Sequence, residues 1–218
     1  MNKKFYIELI SLILLGIVTS LSLPPYNYII VNFFTFSFFF IFLIKKSKII
    51  FSKKLFFLYG WLFGFGYFLS NVYWIAISLT YDDNFKFLIP FAIILIPAFL
   101  AIFYGLITYF FFLIYVKKLI SNLLLFSLLF GVVEFFRGTI LSGFPWNLIA
   151  YSFSNHIEII QITSSIGTYA FNVLCISFFT SPAIFLLKEN KKEMIISIFF
   201  LLTPIILFMI GSSKIKSF

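Results

Sequence analysis

Charged residues are scarce in this sequence, and their scarcity excludes most classes of soluble protein. Only 11% of the 218 residues are charged, while 62% are hydrophobic and the mean hydropathy is +1.12. A soluble globular domain usually carries about a quarter charged residues. The composition therefore predicts an all-α polytopic membrane protein, since a helix satisfies its own backbone groups inside a bilayer.

Arginine is almost absent, because Arg137 is the one arginine and the other fifteen basic residues are lysines. A net charge of +9 would suit a nucleic-acid-binding protein if the basic residues formed a patch. The lysines fall instead in short segments between apolar runs, which is typical of the loops of membrane proteins. We therefore expect no nucleic-acid partner.

Cysteine and histidine occur once each, as Cys175 and His156, and this limits the possible chemistry. One cysteine cannot form an intrachain disulfide or a CxxC motif, and no cluster has the spacing of metal ligands. Cys175 lies ~24 Å into an apolar run at 1.5 Å per residue, where a thiolate is disfavoured. His156 lies two residues from Glu158, but no nucleophile can be assigned to them. We expect no metal, no cofactor and no catalytic residue in this sequence.

The apolar runs predict seven transmembrane helices within one transmembrane domain that covers residues 1–218. A straight span needs about 20 residues, and each run is long enough to cross a bilayer. Gly60-x-x-x-Gly64 and Gly66 lie in the third run, where they would let another helix approach closely. The predicted helices cover residues 5–23, 28–44, 55–79, 87–116, 119–137, 159–187 and 194–211.

The distribution of lysines between the runs predicts the orientation of the chain. Seven helices place the amino terminus and the loops 45–54, 117–118 and 188–193 on one side, with twelve of the sixteen basic residues. Basic residues favour the cytoplasmic side. We therefore expect a cytoplasmic amino terminus, with the carboxyl terminus and an outer loop at 138–158 on the outer side of the membrane.

The end of the fifth run holds Glu134 and Arg137, two charges in an otherwise uncharged apolar segment. Ionisable residues within a membrane span need a compensating partner. Residues three apart lie on one face of a helix, so these two side chains are expected to form an ion pair near the outer surface.

The outer loop that follows is unusually apolar for a segment that faces water. Its only formal charge is Glu158, and it contains Gly143, Phe144, Pro145 and Trp146. Such a loop lies in the membrane interface or folds back onto the bundle. An apolar loop beside an ion pair is suited to binding a lipid headgroup and the upper part of its acyl chains. An interfacial hairpin that only packs against the bundle explains the same residues equally well. The other apolar residues of the loop are Ile140, Leu141, Leu148, Ile149, Tyr151 and Phe153.

This pair and loop also carry a resemblance to a known family. Glu134-x-x-Arg137-Gly138 followed by Gly143-Phe144-Pro145-Trp146 resembles the membrane part of bacterial apolipoprotein N-acyltransferase. The resemblance extends over essentially the whole chain at uneven strength. Its weaker parts are Leu23-Pro24-Pro25-Tyr26, the segment 60–79 with Trp74-x-x-x-Ser78, and the segment 161–168.

The resemblance implies a function in lipoprotein maturation at the inner membrane of a bacterium, with the carboxyl terminus in the periplasm. In that family a nitrilase-like domain with a Glu-Lys-Cys triad follows the seventh helix, and its cysteine passes an acyl chain from a phospholipid to the amine of a diacylglyceryl lipoprotein. This sequence ends at Phe218, where that domain is expected to begin. Three accounts stay open: a separate nitrilase-like chain, a truncated remnant, or a membrane part recruited as a lipid-binding scaffold.

The sequence is therefore interpreted as the membrane module of a lipoprotein N-acyltransferase that positions lipid and lipoprotein at the outer leaflet. Its candidate contact residues are Glu134, Arg137, Gly143, Phe144, Pro145, Trp146 and Trp74. A non-enzymatic lipid-binding or assembly protein is the alternative. A small transporter fits less well, because no acidic residue is placed near the middle of a span.

Overall fold

The computed structural model describes residues 3–140, 143–188 and 190–216, and these residues contain helices and no strand. Three 3₁₀ helices cover Tyr73–Thr80, Asp83–Leu88 and Ile149–Phe153. The α-helices are α1 Lys3–Ser20, α2 Ile30–Ser47, α3 Lys53–Val72, α4 Ile89–Ile114, α5 Leu119–Thr139, α6 Ile157–Ile160, α7 Thr163–Ile166, α8 Thr168–Thr180, α9 Pro182–Leu187 and α10 Lys191–Lys216.

Within the residues that the structure describes, six helical segments are long and apolar enough to cross a membrane, so the chain is a multi-pass membrane protein. The predicted first span, α1, has 18 residues and carries Lys3, Lys4 and Glu8, and it is not among the six. Seven spans and the orientation of the termini therefore stay predictions. The six segments are Ile30–Ser47, Lys53–Thr80, Asp83–Ile114, Leu119–Thr139, Thr168–Leu187 and Lys191–Lys216.

The predicted start of the sixth span, at residue 159, is wrong. The structure has two short helices, α6 and α7, before Gly167, and the long apolar segment begins at Thr168. Gly167 has φ 79° and ψ 166°, a conformation that no helix can continue through and that glycine adopts without steric cost. The apolar pattern could not show this break, because residues on both sides of it are apolar.

Three smaller predictions also differ from the structure. The third predicted helix is α-helical only to Val72, and residues 73–80 form a 3₁₀ helix. The fifth predicted helix ends at residue 137, but α5 continues to Thr139 and is capped by Ile140 in an extended conformation. The predicted charged turn 188–193 is shorter, because α10 begins at Lys191. Leu141 of the predicted outer loop, Glu189 of the predicted turn and the chain end at Phe218 lie outside the described residues.

The chain divides into two compact units, of which unit 1 contains residues 1–20 and 51–113. Its helices pack through glycines. A Cβ on Gly16 would collide with the Phe63 carbonyl of α3, and one on Gly66 would collide with the Ile13 carbonyl of α1. Gly60 lies against Tyr104 and Thr108 of α4 in the same way. The predicted close approach at the glycines of α3 is therefore confirmed, and it serves two neighbouring helices.

Unit 2 contains residues 21–50 and 114–218 and holds the pair and loop singled out above. In it α8 packs against α5 and α2, and α10 packs against α6, α8 and α9. The space between α2, α5 and α8 is filled with aromatic rings, whose edge-to-face contacts stabilise such a core beyond the area they bury. These buried rings are Phe36, Phe39, Phe40, Phe126, Phe130, Phe153, Phe178 and Phe179.

Candidate functional site

The buried ion pair near the end of α5 is the chemical centre of unit 2. Glu134 and Arg137 are each 1% exposed. The Nε of Arg137 donates to Oε2 of Glu134 at 2.5 Å, and its Nη2 also lies in ion-pair contact with that oxygen. The predicted pairing is therefore confirmed. Because both charges are withdrawn from solvent, each carries a large desolvation cost that the partner offsets.

Arg137 also holds the loop that follows its helix. Its Nη1 donates to the carbonyl oxygen of Phe144 at 2.7 Å, and the guanidinium lies 5.7 Å from the centre of the Phe144 ring. In return, the Phe144 N–H donates to the Arg137 carbonyl at 2.9 Å. A planar guanidinium suits such a site because it donates in several fixed directions and stacks on an aromatic ring. Glutamate, arginine and loop thus form one connected unit.

Gly143 makes the reversal of the chain possible between Arg137 and Phe144. Its φ is 71°, and its N–H donates to the Ile140 carbonyl at 2.9 Å. A Cβ at this position would lie 2.5 Å from the carbonyl oxygen of Gly138. Both the positive φ and the lack of space require glycine here. Gly138 serves a different purpose, because a Cβ on it would collide with the hydroxyl of Tyr169.

Beyond Phe144 the loop presents an exposed tip and then turns back into the unit. Pro145 is exposed, and the Trp146 side chain is 57% exposed. The next residues, Leu148 to Ala150, are buried, and the Ala150 N–H donates to Oδ1 of Asn172 on α8 at 2.9 Å. The apolar loop predicted from the sequence therefore divides into two parts. One is an exposed tip, and the other is a segment that folds back and packs against α8.

Two tyrosines beside the pair are functional candidates that the sequence did not identify. The Tyr151 hydroxyl donates to the Pro145 carbonyl at 3.3 Å. Burial raises the pKa of Tyr151, and Tyr169 raises it further, while Arg137 acts in the opposite direction. Tyr151 is therefore a neutral hydrogen-bond donor at physiological pH. The sequence places Tyr151 in the outer loop but does not predict its charged and aromatic neighbours, because Arg137 and Tyr169 come from α5 and α8.

The remaining predicted contact residue, Trp74, lies in unit 1. It belongs to the 3₁₀ helix Tyr73–Thr80, its side chain is 42% exposed, and its indole N–H donates to the Asn71 carbonyl at 2.9 Å. The other six predicted residues lie together in unit 2, along the end of α5 and the loop after it.

Cys175 and His156 are the two residues that the sequence offers for nucleophilic chemistry. Cys175 is fully buried in α8, so its thiol cannot reach a lipid or peptide. It lies ~10 Å from the start of that helix at Thr168, not ~24 Å as predicted from a start at residue 159. His156 is exposed at the start of α6, with its ring 6.2 Å from that of Phe153. Neither position offers an accessible nucleophile with an adjacent base.

Comparison with known proteins adds the family relationship. Residues 15–181 match the family described as the apolipoprotein N-acyltransferase N-terminal domain. The chain is similar to the apolipoprotein N-acyltransferases of Allorhizobium ampelinum, at 32% identity over 81% of this chain and 34% of that protein. For the Rickettsia prowazekii protein the identity is 38% over 78% of this chain and 33% of that protein. The chain thus spans about a third of the length of these curated relatives.

Proposed function

Because this chain belongs to the apolipoprotein N-acyltransferase family, we propose that it is the membrane module of a lipoprotein N-acyltransferase. Its substrates in this proposal are a membrane phospholipid, which supplies the acyl chain, and a diacylglyceryl lipoprotein, which accepts it. The observation that carries the proposal is the buried Glu134–Arg137 pair, which fixes an exposed Pro145–Trp146 tip at the end of a membrane-spanning helix.

The chemistry of the tip favours a lipid as its ligand. Tryptophan has an apolar ring and one N–H donor, and it concentrates at the level of lipid headgroups. The tip is attached to a buried guanidinium through the Phe144 carbonyl and to Tyr151 through the Pro145 carbonyl. A loop held in this way presents Trp146 in one position, which reduces the entropy lost on binding. In this proposal Glu134, Arg137 and Gly143 position the loop, while Phe144, Pro145, Trp146 and Trp74 contact lipid.

The proposal places this loop at the outer leaflet of a bacterial inner membrane. Residues 1–218 then form one transmembrane domain of seven spans, with α1 as the first, the amino terminus in the cytoplasm and the carboxyl terminus in the periplasm. The excess of lysine in the loops on the amino-terminal side supports this orientation. Both substrates are lipids anchored in the outer leaflet, so a contact surface there would meet them directly.

The acyl-transfer step itself requires groups that these residues do not place at the loop. A thioester intermediate needs an accessible thiolate with a base nearby. Cys175, the one cysteine of the sequence, is fully buried in α8. We therefore assign the nucleophile to a nitrilase-like catalytic part, on the same polypeptide or on a separate chain, and assign lipid and lipoprotein positioning to the residues described above.

Substitution of the tip tests the proposal. Phospholipid binding to the purified chain, measured by native mass spectrometry, should weaken on Trp146→Ala by up to about 30-fold, as for an exposed tryptophan that becomes buried on binding. Tyr81→Ala is the matched control, because Tyr81 is an aromatic residue with 89% exposure in the segment between α3 and α4. Equal binding by the two variants and the parent chain would contradict the assignment of the loop as a lipid contact.

A further inference from the structure

A recess lies at the other end of α5, where three membrane-spanning segments of unit 2 terminate together. There α2 ends at Ser47, α5 begins at Leu119 and α9 ends at Leu187. A recess of about 30 Å³ lies between these ends. The 21 residues of α5 separate it by ~30 Å from the Arg137 loop. The residues that line the recess are Ile44, Lys48, Tyr115, Lys117, Leu119, Asn122 and Leu187.

The lining of the recess is positively charged. Lys48 follows the last turn of α2, Lys117 lies in the segment before α5, and both are exposed. Among the lining residues that the structure describes, none is aspartate or glutamate. Two lysines from separate elements line the one recess, and an anion bound there would reduce the repulsion between their charges. The lining therefore selects an anionic group.

A buried amide fixes the segment that carries Lys117. Asn122 is 1% exposed, its Nδ2 donates to the Val116 carbonyl at 2.6 Å, and its Oδ1 accepts the Val116 N–H at 3.1 Å. These two bonds satisfy both backbone groups of the residue next to Lys117. Because the segment is held from within the bundle, Lys117 starts from a defined backbone position rather than from a mobile loop.

The start of α5 adds donors to the same place. Lys118 is its N-cap residue and makes no side-chain capping bond, so the first-turn N–H groups lack the acceptor that serine or aspartate would supply. Leu119, the first residue of the helix, lines the recess. Helix amino termini carry partial positive charge and bind phosphate oxygens through such N–H groups.

We propose that this recess binds the phosphate of an anionic phospholipid in the leaflet where these three helix ends lie. The ends of three apolar segments mark the level of the headgroups. A volume of about 30 Å³ admits oxygen atoms of a phosphate but not a whole metabolite, for which pockets of roughly 300 Å³ or more are usual. The acyl chains lie outside the recess, along the apolar faces of the helices. The site is independent of the Trp146 loop.

Lipid binding by paired charge variants tests this site. The purified 218-residue chain is titrated with phosphatidylglycerol or phosphatidylcholine in detergent, and bound lipid is counted by native mass spectrometry. Lys48→Gln with Lys117→Gln should weaken phosphatidylglycerol binding about thirtyfold, since each lysine near an anionic surface contributes roughly five- to sixfold. Lys53→Gln with Lys54→Gln is the matched control, because it removes two exposed lysines at the start of α3 in unit 1 and should leave binding unchanged.

Each alternative outcome is distinguishable in the same experiment. The four exchanged lysine side chains are exposed, so both double variants should keep the helical circular dichroism of the parent chain. Equal loss in the two double variants would overturn the site and indicate a general charge effect. Equal binding of phosphatidylcholine and phosphatidylglycerol would also overturn it. Inorganic phosphate at the same concentration should not displace the lipid, and full displacement would assign the recess to free phosphate instead.

Discussion

At the scale of single residues, the Glu134–Arg137 pair matters more for the position of the loop than for the stability of the fold. A buried ion pair contributes little net stability, because the desolvation of two charges consumes most of the attraction between them. This arginine, however, also donates to the Phe144 carbonyl, so the pair determines where the loop lies. Its importance is therefore positional, and removal of one charge leaves the other without compensation.

A double-mutant cycle measures this coupling. Glu134→Leu or Arg137→Leu should each lower the free energy of unfolding by ~3–5 kcal/mol, because an unpaired charge stays buried. The double substitution should cost less than the sum of the two, and unfolding in detergent followed by circular dichroism gives all three values. Simple additivity of the two single effects would contradict the coupling.

The structure supplies a matched control for that cycle. Asp83 and Lys86 have the same spacing of three residues and form an ion pair at 2.5 Å, but their side chains are 88% and 53% exposed. Exposed pairs contribute about 0–1 kcal/mol. Removal of either partner here should have a correspondingly small effect, so the contrast isolates burial from spacing.

The sequence predicted this pair because its partners are three residues apart on one helix. It could not predict that Asn172 of α8 accepts the Ala150 N–H, because that contact depends on the packing of α8 in unit 2. Nor could it predict which groups surround Tyr151, although it placed Tyr151 in the outer loop. Spacing along the chain predicts contacts within one helix. Contacts between helices depend on their relative register, and the sequence of this uniformly apolar chain has no periodicity that determines that register.

At the scale of elements, close helix packing depends on glycines that face backbone rather than side chains. A flexible side chain can move away from an added methyl group, but the Ile13 carbonyl opposite Gly66 cannot move without a shift of α1. In apolar surroundings such close contacts supply much of the attraction between helices.

Gly66→Ala should therefore destabilise unit 1 by ~1–3 kcal/mol, the usual cost of overpacking a tight interface. Thermal unfolding of the purified protein in detergent provides the measurement. Ser11→Ala on the exposed face of α1 is the control and should change stability little. A parent-like melting temperature for Gly66→Ala would mean that α1 and α3 do not approach as closely as described.

The sequence predicted the helix boundaries well where lysines separate the apolar runs. The prediction was wrong where a break lies inside an apolar run. The boundaries near Lys45 and Lys117 fall within a few residues of those predicted. The break at Gly167 was missed because the apolar residues around it continue the pattern, and only the positive φ reveals it.

At the scale of the whole molecule, the proposed orientation rests on twelve basic residues on one predicted side and four on the other. Alkaline phosphatase fused after Phe218 should be active, and a fluorescent protein that folds only in the cytoplasm should stay dark at that position. Fusion of the same reporters after Lys118 should give the opposite pattern. Phosphatase activity at Lys118 with none at Phe218 would reverse the topology.

The central claim is that the Pro145–Trp146 tip contacts phospholipid at the headgroup level, and the depth of Trp146 in a bilayer tests it most directly. With Trp61→Phe and Trp74→Phe, Trp146 becomes the one tryptophan of the chain, and its fluorescence is recorded in bilayers of phospholipids brominated at shallow or deep acyl positions. A chain that keeps only Trp61, within the membrane-spanning segment Lys53–Thr80, is the comparison and should respond more to the deep label. We predict that shallow bromines quench Trp146 most strongly and that Arg137→Leu weakens this preference. Quenching of Trp146 by aqueous acrylamide alone, with no response to either brominated lipid, would contradict the account.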